Sequence, residues 1–307
     1  MAISRDVPPA HGFDVANLPD SAMAARSATR LTIDLGALTD IGKHRETNED
    51  AYAVCRIGRT VERILSNLPE SMLAPRSEEG GVVMMVADGM GGMAAGEVAS
   101  HAALARTFQL ILNAPKWALR LDDPATRESE IAEMWERARG YLRRVHAEIR
   151  SWADQDPNLK GMGTTLTGAY SVGSDLFVLH LGDSRAYLLH DGKVRKITRD
   201  HTVAQSYVDM GILRESDEET HRLRHVLTRA IGGPDDTIDA DIHALQVVRG
   251  DRVLLCTDGL SNLVDEDEMA EVLSTGASSQ DACRMLVDLA LDYGGLDNIT
   301  AVVASYA

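Results

Sequence analysis

Two apolar runs in this chain end in Asp-Gly. Val82 to Val86 leads through Ala87 into Asp88-Gly89, and Val253 to Cys256 leads through Thr257 into Asp258-Gly259. Short runs rich in β-branched residues and bounded by turn residues read as buried strands, so each aspartate is expected where a strand leaves the core. The glycine then permits a sharp turn and offers its carbonyl nearby. A third acid, Asp297, stands with Asn298 just before the run Ile299 to Val303 and so begins a strand. If that strand runs antiparallel beside one of the others, its start lies next to their ends. Three carboxylates crowded at the rim of a core are costly unless a cation or proton compensates them, which points to a metal site. Hard oxygen donors of this kind, with the Gly89 carbonyl, suit Mg²⁺ or Mn²⁺ better than Zn²⁺. Upstream, Arg45-Glu46-Thr47-Asn48-Glu49-Asp50 adds acids and a guanidinium whose planar fork suits a phosphate.

The elements that must position these side chains are legible from periodicity. Short strands are expected at Leu31–Leu35, Ala51–Val54, Leu166–Tyr170, Leu176–Leu181, Ala186–His190 and Lys193–Ile197, the last two joined by Asp191-Gly192, a two-residue hairpin signal. Three-to-four spacing predicts helices over Glu97–Leu112, Ile131–Trp152, Thr202–Met210, Glu266–Leu273 and Gln280–Leu291. The stripe from Ile131 to Trp152 reads as core, and His146 beside it as a surface or packing histidine. Prolines and polar residues between 56 and 80 suggest a long loop. Strand clusters between helix pairs, without βαβ alternation, indicate α+β layers with antiparallel sheets. Residues 1–30, with Pro8, Pro9 and Pro19 and little periodicity, read as a flexible extension before a single domain over 31–307.

Bulk composition narrows the function. A formal net charge of −16 argues against nucleic acid, whose non-specific binding rests on Lys and Arg, and against anionic membranes. Cys55, Cys256 and Cys283 are scattered without CxxC spacing, which suggests neither a disulfide framework nor a thiolate zinc site and fits a reducing cytoplasm. No run approaches the roughly 18 apolar residues that a spanning helix needs.

Eight segments, in order, carry a resemblance. They are Gly42-Lys43-His44-Arg45-Glu46-Thr47-Asn48-Glu49-Asp50, Val86-Ala87-Asp88-Gly89-Met90-Gly91-Gly92, Gly163-Thr164-Thr165, Gly182-Asp183-Ser184-Arg185-Ala186, Asp200-His201-Thr202, Leu227-Thr228-Arg229-Ala230-Ile231-Gly232, Thr257-Asp258-Gly259-Leu260 and Asp297-Asn298. Together they resemble the metal-dependent protein phosphatases of type 2C in their bacterial form, over about Leu31 to Val303. The resemblance implies a four-layer α-β-β-α sandwich with two central, mostly antiparallel sheets. It implies hydrolysis of phosphoserine and phosphothreonine in proteins by in-line attack of a water bridging two Mn²⁺ or Mg²⁺ ions. Metals about 3.5 to 4 Å apart lower the pKa of such a water and clamp it.

By motif position, Asp88 bridges the two metals, Asp258, Asp297 and the Gly89 carbonyl complete the first, and Glu49 or Asp50 serves the second directly or through water. Arg45 matches the phosphate-binding arginine, and Asp183 a ligand of a third, weaker ion. Met90 replaces the histidine that animal members place after the first Asp-Gly, which leaves leaving-group protonation to metal-bound water or to a group such as His44. Asn262 stands where many members carry an aspartate that supports the third ion. Val203–His225 matches the mobile flap beside the cleft, with His221 and His225 expected to face solvent. The partners implied are phosphorylated proteins, substrates of a Ser/Thr kinase or the kinase itself, approached by a cytoplasmic monomer. Two alternatives stand beside this reading. One is a catalytically weak phosphatase-like module that binds partners; the other, a two-metal phosphodiesterase or nuclease, is disfavoured by the acidic charge and the lack of a basic stripe.

Overall fold

The computed structural model describes residues 31–67, 76–91, 95–113, 121, 124–218, 220–235 and 238–307. Residues 1–30, read above as an extension, lie outside that set. Leu31–Arg59 and Glu79–Ala307 form one compact unit, which holds every candidate site residue; Thr60–Glu78 cluster separately and include one end each of two strands.

Along the chain come β1 (Ile33–Asp40), β2 (Asp50–Glu62), β3 (Arg76–Met90), α1 (Ala95–Leu112), α2 (Pro124–Gln155), β4 (Gly163–Thr164), β5 (Leu166–Val172), β6 (Asp175–Leu181), β7 (Arg185–His190) and β8 (Lys193–Lys196). There follow α3 (Val203–Asp209), β9 (Asp241–Gln246), β10 (Arg252–Cys256), α4 (Asp258–Ser261), α5 (Glu266–Ser274), α6 (Ser279–Asp292) and β11 (Ile299–Tyr306). One sheet has the order β1-β11-β10-β7-β8, the other β2-β3-β5-β6-β9 with β4 beside β3. The registered strand pairs are antiparallel.

Both faces of the central strands are buried, which is why they read as continuous apolar runs instead of alternating ones. In β3, Val82, Met84 and Val86 meet Leu188, Val253, Leu255 and Val302 between the sheets. Val83, Met85 and Ala87 face the other way, onto Ala99 and Ala103 of α1 and Leu142, Val145 and Ile149 of α2. In β10 and β11, Leu254, Cys256, Ala301 and Val303 take the outer face of the first sheet, against Met269 and Leu273 of α5 and Leu286 and Val287 of α6. The result is the helix, sheet, sheet, helix layering implied by the motifs.

Some expectations are corrected. Much of 56–80 is strand, because β2 runs to Glu62 and β3 starts at Arg76; Pro69 lies among residues outside the described set. The β9 strand had no clear sequence signal, since its residues alternate only weakly in burial. The hairpin expected at Asp191-Gly192 is present: both residues have positive φ, 49° and 74°, as a tight two-residue connection of right-handed twist requires. His146 is 3% exposed and holds two backbone groups, accepting from Gly232 N at Nδ1 (3.2 Å) and so donating from Nε2 to Asp235 O (2.9 Å).

Candidate metal and phosphate site

Strand pairing brings the acids together. Because β10 and β11 are antiparallel neighbours with Cys256 opposite Ala301, the residues after one and before the other lie side by side. The Thr257 N–H donates to Thr300 O at 3.2 Å, placing Asp258 and Asp297 at one sheet edge. Asp258 is the first residue of α4, whose four residues follow β10 with only Thr257 between. Asp88 comes from the second sheet, and here the expected turn is absent. Asp88-Gly89 lies inside β3, because β4 extends the ladder: Gly89 pairs with Thr164, Thr165 N donates to Asp88 O (2.9 Å), and Asp88 N donates to Thr165 Oγ1 (2.9 Å). Gly89 is required by space instead of by turning. A Cβ there would lie 2.1 Å from Gly96 O and 2.7 Å from Glu49 O.

Every candidate acid enters one electrostatic neighbourhood. Burial holds the Asp88 carboxyl well above the usual carboxylate range, and Asp50, Asp258, Asp183 and Asp297 each push it further. Burial likewise raises Asp183, with Asp258 and Asp200 adding to it against the pull of Arg185. Asp50 is pushed up to about 7 by burial, despite hydrogen bonds from Thr300 and Thr257, with Asp258 and Asp297 contributing. Glu49 is raised first by burial, while Arg45 pulls it down and Asp297 pushes it up. Its carboxylate lies at the first turn of α1, where a Cβ on Gly96 would approach Oε1 to 2.6 Å. Raised together by burial and by neighbouring carboxylates, Glu49, Asp50, Asp88 and Asp183 show that the protein alone does not neutralise the cluster.

Neighbouring side chains hold the outer acids. Arg45 Nη2 donates to Asp297 Oδ2 at 2.6 Å, and Asn262 Nδ2 to Asp258 Oδ2 at 3.0 Å. Among the described residues no three His, Cys, Asp or Glu side chains are drawn close enough to hold an ion as they stand. The donor set still fits a hard divalent cation. The acids are oxygen donors, burial and neighbouring carboxylates raise the proton affinity of Asp50, Asp88 and Asp183, and Asp50 Oδ1 is buried without a hydrogen-bond partner.

Sequence reasoning gave no role to Asn298, although it named the residue. Its side chain ties three segments: Oδ1 accepts from Glu49 N (2.8 Å), and Nδ2 donates to Ile41 O (2.9 Å) and Thr47 O (3.0 Å). An asparagine beside a candidate ligand, able to donate and accept at once, was the available signal. Of the flap histidines, His225 is exposed as expected, while His221 is only partly so. Beyond α3 the segment breaks into turns, so helical spacing does not govern His221 and His225. His221 packs edge-on to Tyr207, and His225 Nδ1 approaches Asp258 Oδ2 to 3.5 Å. Arg224 and His225 share with Asp183, Arg185, Asp258 and Asn262 the lining of a polar cavity of about 150 Å³. His44 is exposed.

Comparison with known proteins agrees with this geometry. The family model described as protein phosphatase 2C matches residues 71–291. The serine/threonine protein phosphatase PstP of Mycobacterium tuberculosis is 37% identical over 225 residues, 73% of this chain and 40% of that protein, so the chain spans less than half of that relative's length. The serine/threonine phosphatase stp of Listeria monocytogenes is 34% identical over 221 residues, covering 72% of this chain and 83% of stp. The solved catalytic domain of PstP, in complex with two manganese ions, superposes with a TM-score of 0.67 at 30% identity, covering 90% of this chain and 99% of that one. The ordered motifs, the paired antiparallel sheets and the acids at their shared edge therefore have one source: this chain belongs to the protein phosphatase 2C family.

Proposed function

We propose that the chain is a metal-dependent protein serine/threonine phosphatase whose site consists of Arg45, Glu49, Asp50, Asp88, Gly89, Asp183, Asp258 and Asp297. The observation that carries this reading is the burial of Asp50, Asp88 and Asp183 beside Asp258 and Asp297, with Asp50 Oδ1 lacking a hydrogen-bond partner and a guanidinium at the edge of the cluster. Asp88, Asp258, Asp297 and the Gly89 carbonyl would hold one ion, and Asp88 with Glu49 or Asp50 the other; Asp183 would serve a third, weaker one. Bound divalent ions would supply Lewis acidity and a nucleophile at neutral pH. PstP with two manganese ions supports Mn²⁺, and the oxygen donor set accepts Mg²⁺ equally.

The chain's own residues do the remaining work. Arg45 is half exposed on its side chain and can turn its fork from Asp297 to an incoming phosphoryl group, binding two of its oxygens and opposing their charge. The packing of Gly89 against Gly96 fixes the backbone of β3 beside α1, so Asp88 does not drift. His225 and Arg224 bring the segment after α3 over the acids, where it can contact the polypeptide around the phosphorylated residue.

The substrates in this reading are phosphorylated proteins made by a Ser/Thr kinase, or that kinase, met by a cytoplasmic monomer. The net charge of −16 supports a phosphoprotein over a nucleic acid, and among the described residues no helix is long and apolar enough to cross a membrane. Residues 31–307 would form the phosphatase domain. The test is hydrolysis of p-nitrophenyl phosphate and a phosphothreonine peptide after chelation, with Mn²⁺ or Mg²⁺ restored, for the parent chain and Asp258→Ala. Activity that returns with metal and is lost in the variant is expected. Folded parent protein without turnover in either metal would leave the partner-binding module as the better reading.

A further inference from the structure

Three threonines stand in a row across adjacent strands, and their hydroxyls end on one carboxylate oxygen. Thr39 of β1 and Thr300 of β11 are register partners, and Thr257 follows the last residue of β10. Thr257 and Thr300 are fully buried. Thr257 Oγ1 and Thr300 Oγ1 each lie 2.7 Å from Asp50 Oδ2, on the first residue of β2 in the opposite sheet.

Counting protons fixes the direction of these bonds. Each hydroxyl has one hydrogen to give. Thr257 Oγ1 already accepts from the Thr300 N–H at 3.0 Å, so its hydrogen is free for Asp50. Thr300 Oγ1 is also 2.8 Å from Thr39 Oγ1, and Thr39 Oγ1 accepts from Asn48 Nδ2 at 2.9 Å. The arrangement that satisfies every group has Asn48 donating to Thr39, Thr39 to Thr300, and Thr300 to Asp50. Asn48 Oδ1 closes the circuit by accepting from Asp50 N at 3.1 Å. Asp50 Oδ2 thus receives two hydroxyl donors, while Oδ1 is buried with none.

We propose that Thr257 and Thr300 are positioning residues that occupy Asp50 Oδ2 and leave Oδ1 as the one oxygen offered to a divalent cation. This rests on the metal-dependent reading above and extends it from the ligands to the groups that orient them. Outer partners of this type hold a ligand's orientation and its charged form, and losing one typically weakens metal binding by about 10- to 100-fold. A threonine kept for packing alone would not behave so, because valine has its shape and lacks only the hydroxyl.

The experiment is Mn²⁺ titration of the full chain, followed by the electron paramagnetic resonance of free Mn²⁺, for the parent protein, Thr300→Val, Thr300→Ser and Thr257→Val, with circular dichroism to confirm folding. Thr300→Val and Thr257→Val are expected to raise the tightest Kd by about 10- to 100-fold. Thr300→Ser, which keeps the donor, is expected to stay within about threefold, well short of that loss. Parent-like affinity in a folded valine variant would overturn the positioning role while leaving the metal site intact. Should Thr300→Val not fold, Thr257→Val decides by the same criterion, and Thr257→Ala decides if neither folds: it removes the same hydroxyl donor without adding bulk, and unchanged affinity there overturns the proposal. A parent protein that binds no Mn²⁺ would refute the metal reading itself, and this inference with it.

Discussion

Arg45 and Asp297 are joined by a 2.6 Å bond between Nη2 and Oδ2, so the side chain proposed to grip phosphate is held by a carboxylate proposed to hold a cation. The bond raises the affinity of Arg45 for its proton, against the effect of burial, and Glu49 and Asp88 add to it. A cation held by Asp297 would compete with Arg45 for this carboxylate and would leave the guanidinium available to substrate. Metal loading and phosphate recognition would thereby be coupled through one carboxylate.

Substitution of Arg45 by Gln should separate the two roles. Loss of a charge-assisted bond to phosphate costs about 1.5–3 kcal/mol, or roughly 10- to 150-fold in kcat/KM on a phosphopeptide. The ion pair with Asp297 is half exposed and contributes only about 0–1 kcal/mol, so Mn²⁺ affinity should be unchanged or up to about fivefold tighter. Steady-state kinetics and Mn²⁺ titration on the same protein check this. Weaker metal binding would show that Arg45 supports the ligands instead of competing for one.

The elevated acids carry a pH signature in the presence of a chelator. A carboxyl whose folded pKa lies above its unfolded value binds more protons in the native state between the two, so stability falls as pH rises through that window. For Asp50 the window runs from the ordinary carboxylate range to about 7, and Asp88 is displaced in the same direction. Buried His180, lowered to about 3 chiefly by burial, acts oppositely, favouring the fold as pH rises toward its ordinary value. Comparing the parent with Asp88→Asn cancels the histidine contribution. In EDTA the variant should melt higher at pH 7.5, by roughly 2–4 °C per kcal/mol recovered, with the advantage vanishing toward pH 4. An equal or lower melting temperature at pH 7.5 would mean that the acids do not repel as described.

Two glycines should respond in opposite ways to alanine. At Gly89 the added methyl would meet backbone oxygens at 2.1 and 2.7 Å, so Gly89→Ala must displace β3 from α1, at a cost of about 1–3 kcal/mol or more. At Gly140, within α2, the methyl would meet nothing within 4 Å, and Gly140→Ala should stabilise by about 1 kcal/mol through helix propensity. Denaturant melts of both variants decide the point; a stable Gly89→Ala would refute the close approach.

Asn262 donates to Asp258 and thereby lightens the acidic cluster. Asn262→Asp should lower stability in chelator by about 1–3 kcal/mol, since a donor becomes a like charge. It should also add an equivalent of bound Mn²⁺, with Asp183 and Asp258 beside the new carboxylate. Calorimetric stoichiometry identical to the parent's would argue against a third ion at this position.

The candidate donors were legible because residue type is local. Asp88, Asp258 and Asp297 each abut an apolar run, and the wish of β10 and β11 to bury both faces follows from Val253–Cys256 and Ile299–Val303. The Asp191-Gly192 hairpin was legible for the same reason, since two consecutive residues of positive φ suit few sequences. Most helix ends moved by one or two residues, as at α1, which starts at Ala95, before the predicted Glu97, but α2 starts at Pro124, seven residues before the predicted Ile131, and ends at Gln155 instead of Trp152.

What the chain could not state locally was decided by partners distant in sequence. Asp88-Gly89 has the composition of a turn, yet it is strand because β4, some 75 residues later, supplies hydrogen-bond partners that no local pattern encodes. Glycine at 89 answers to Gly96 and Glu49, not to its own φ. His225 carries no sign of its approach to Asp258, which depends on how the turns after α3 fold back. The sequence by itself determined which side chains carry hard oxygen donors beside strand ends and which runs must be buried, because residue type and periodicity are properties of a segment. Only the tertiary structure decided that Asp50 is oriented by Thr257 and Thr300 and that Arg45 rests on Asp297, because strand order and register set which distant polar groups must satisfy one another once water is excluded.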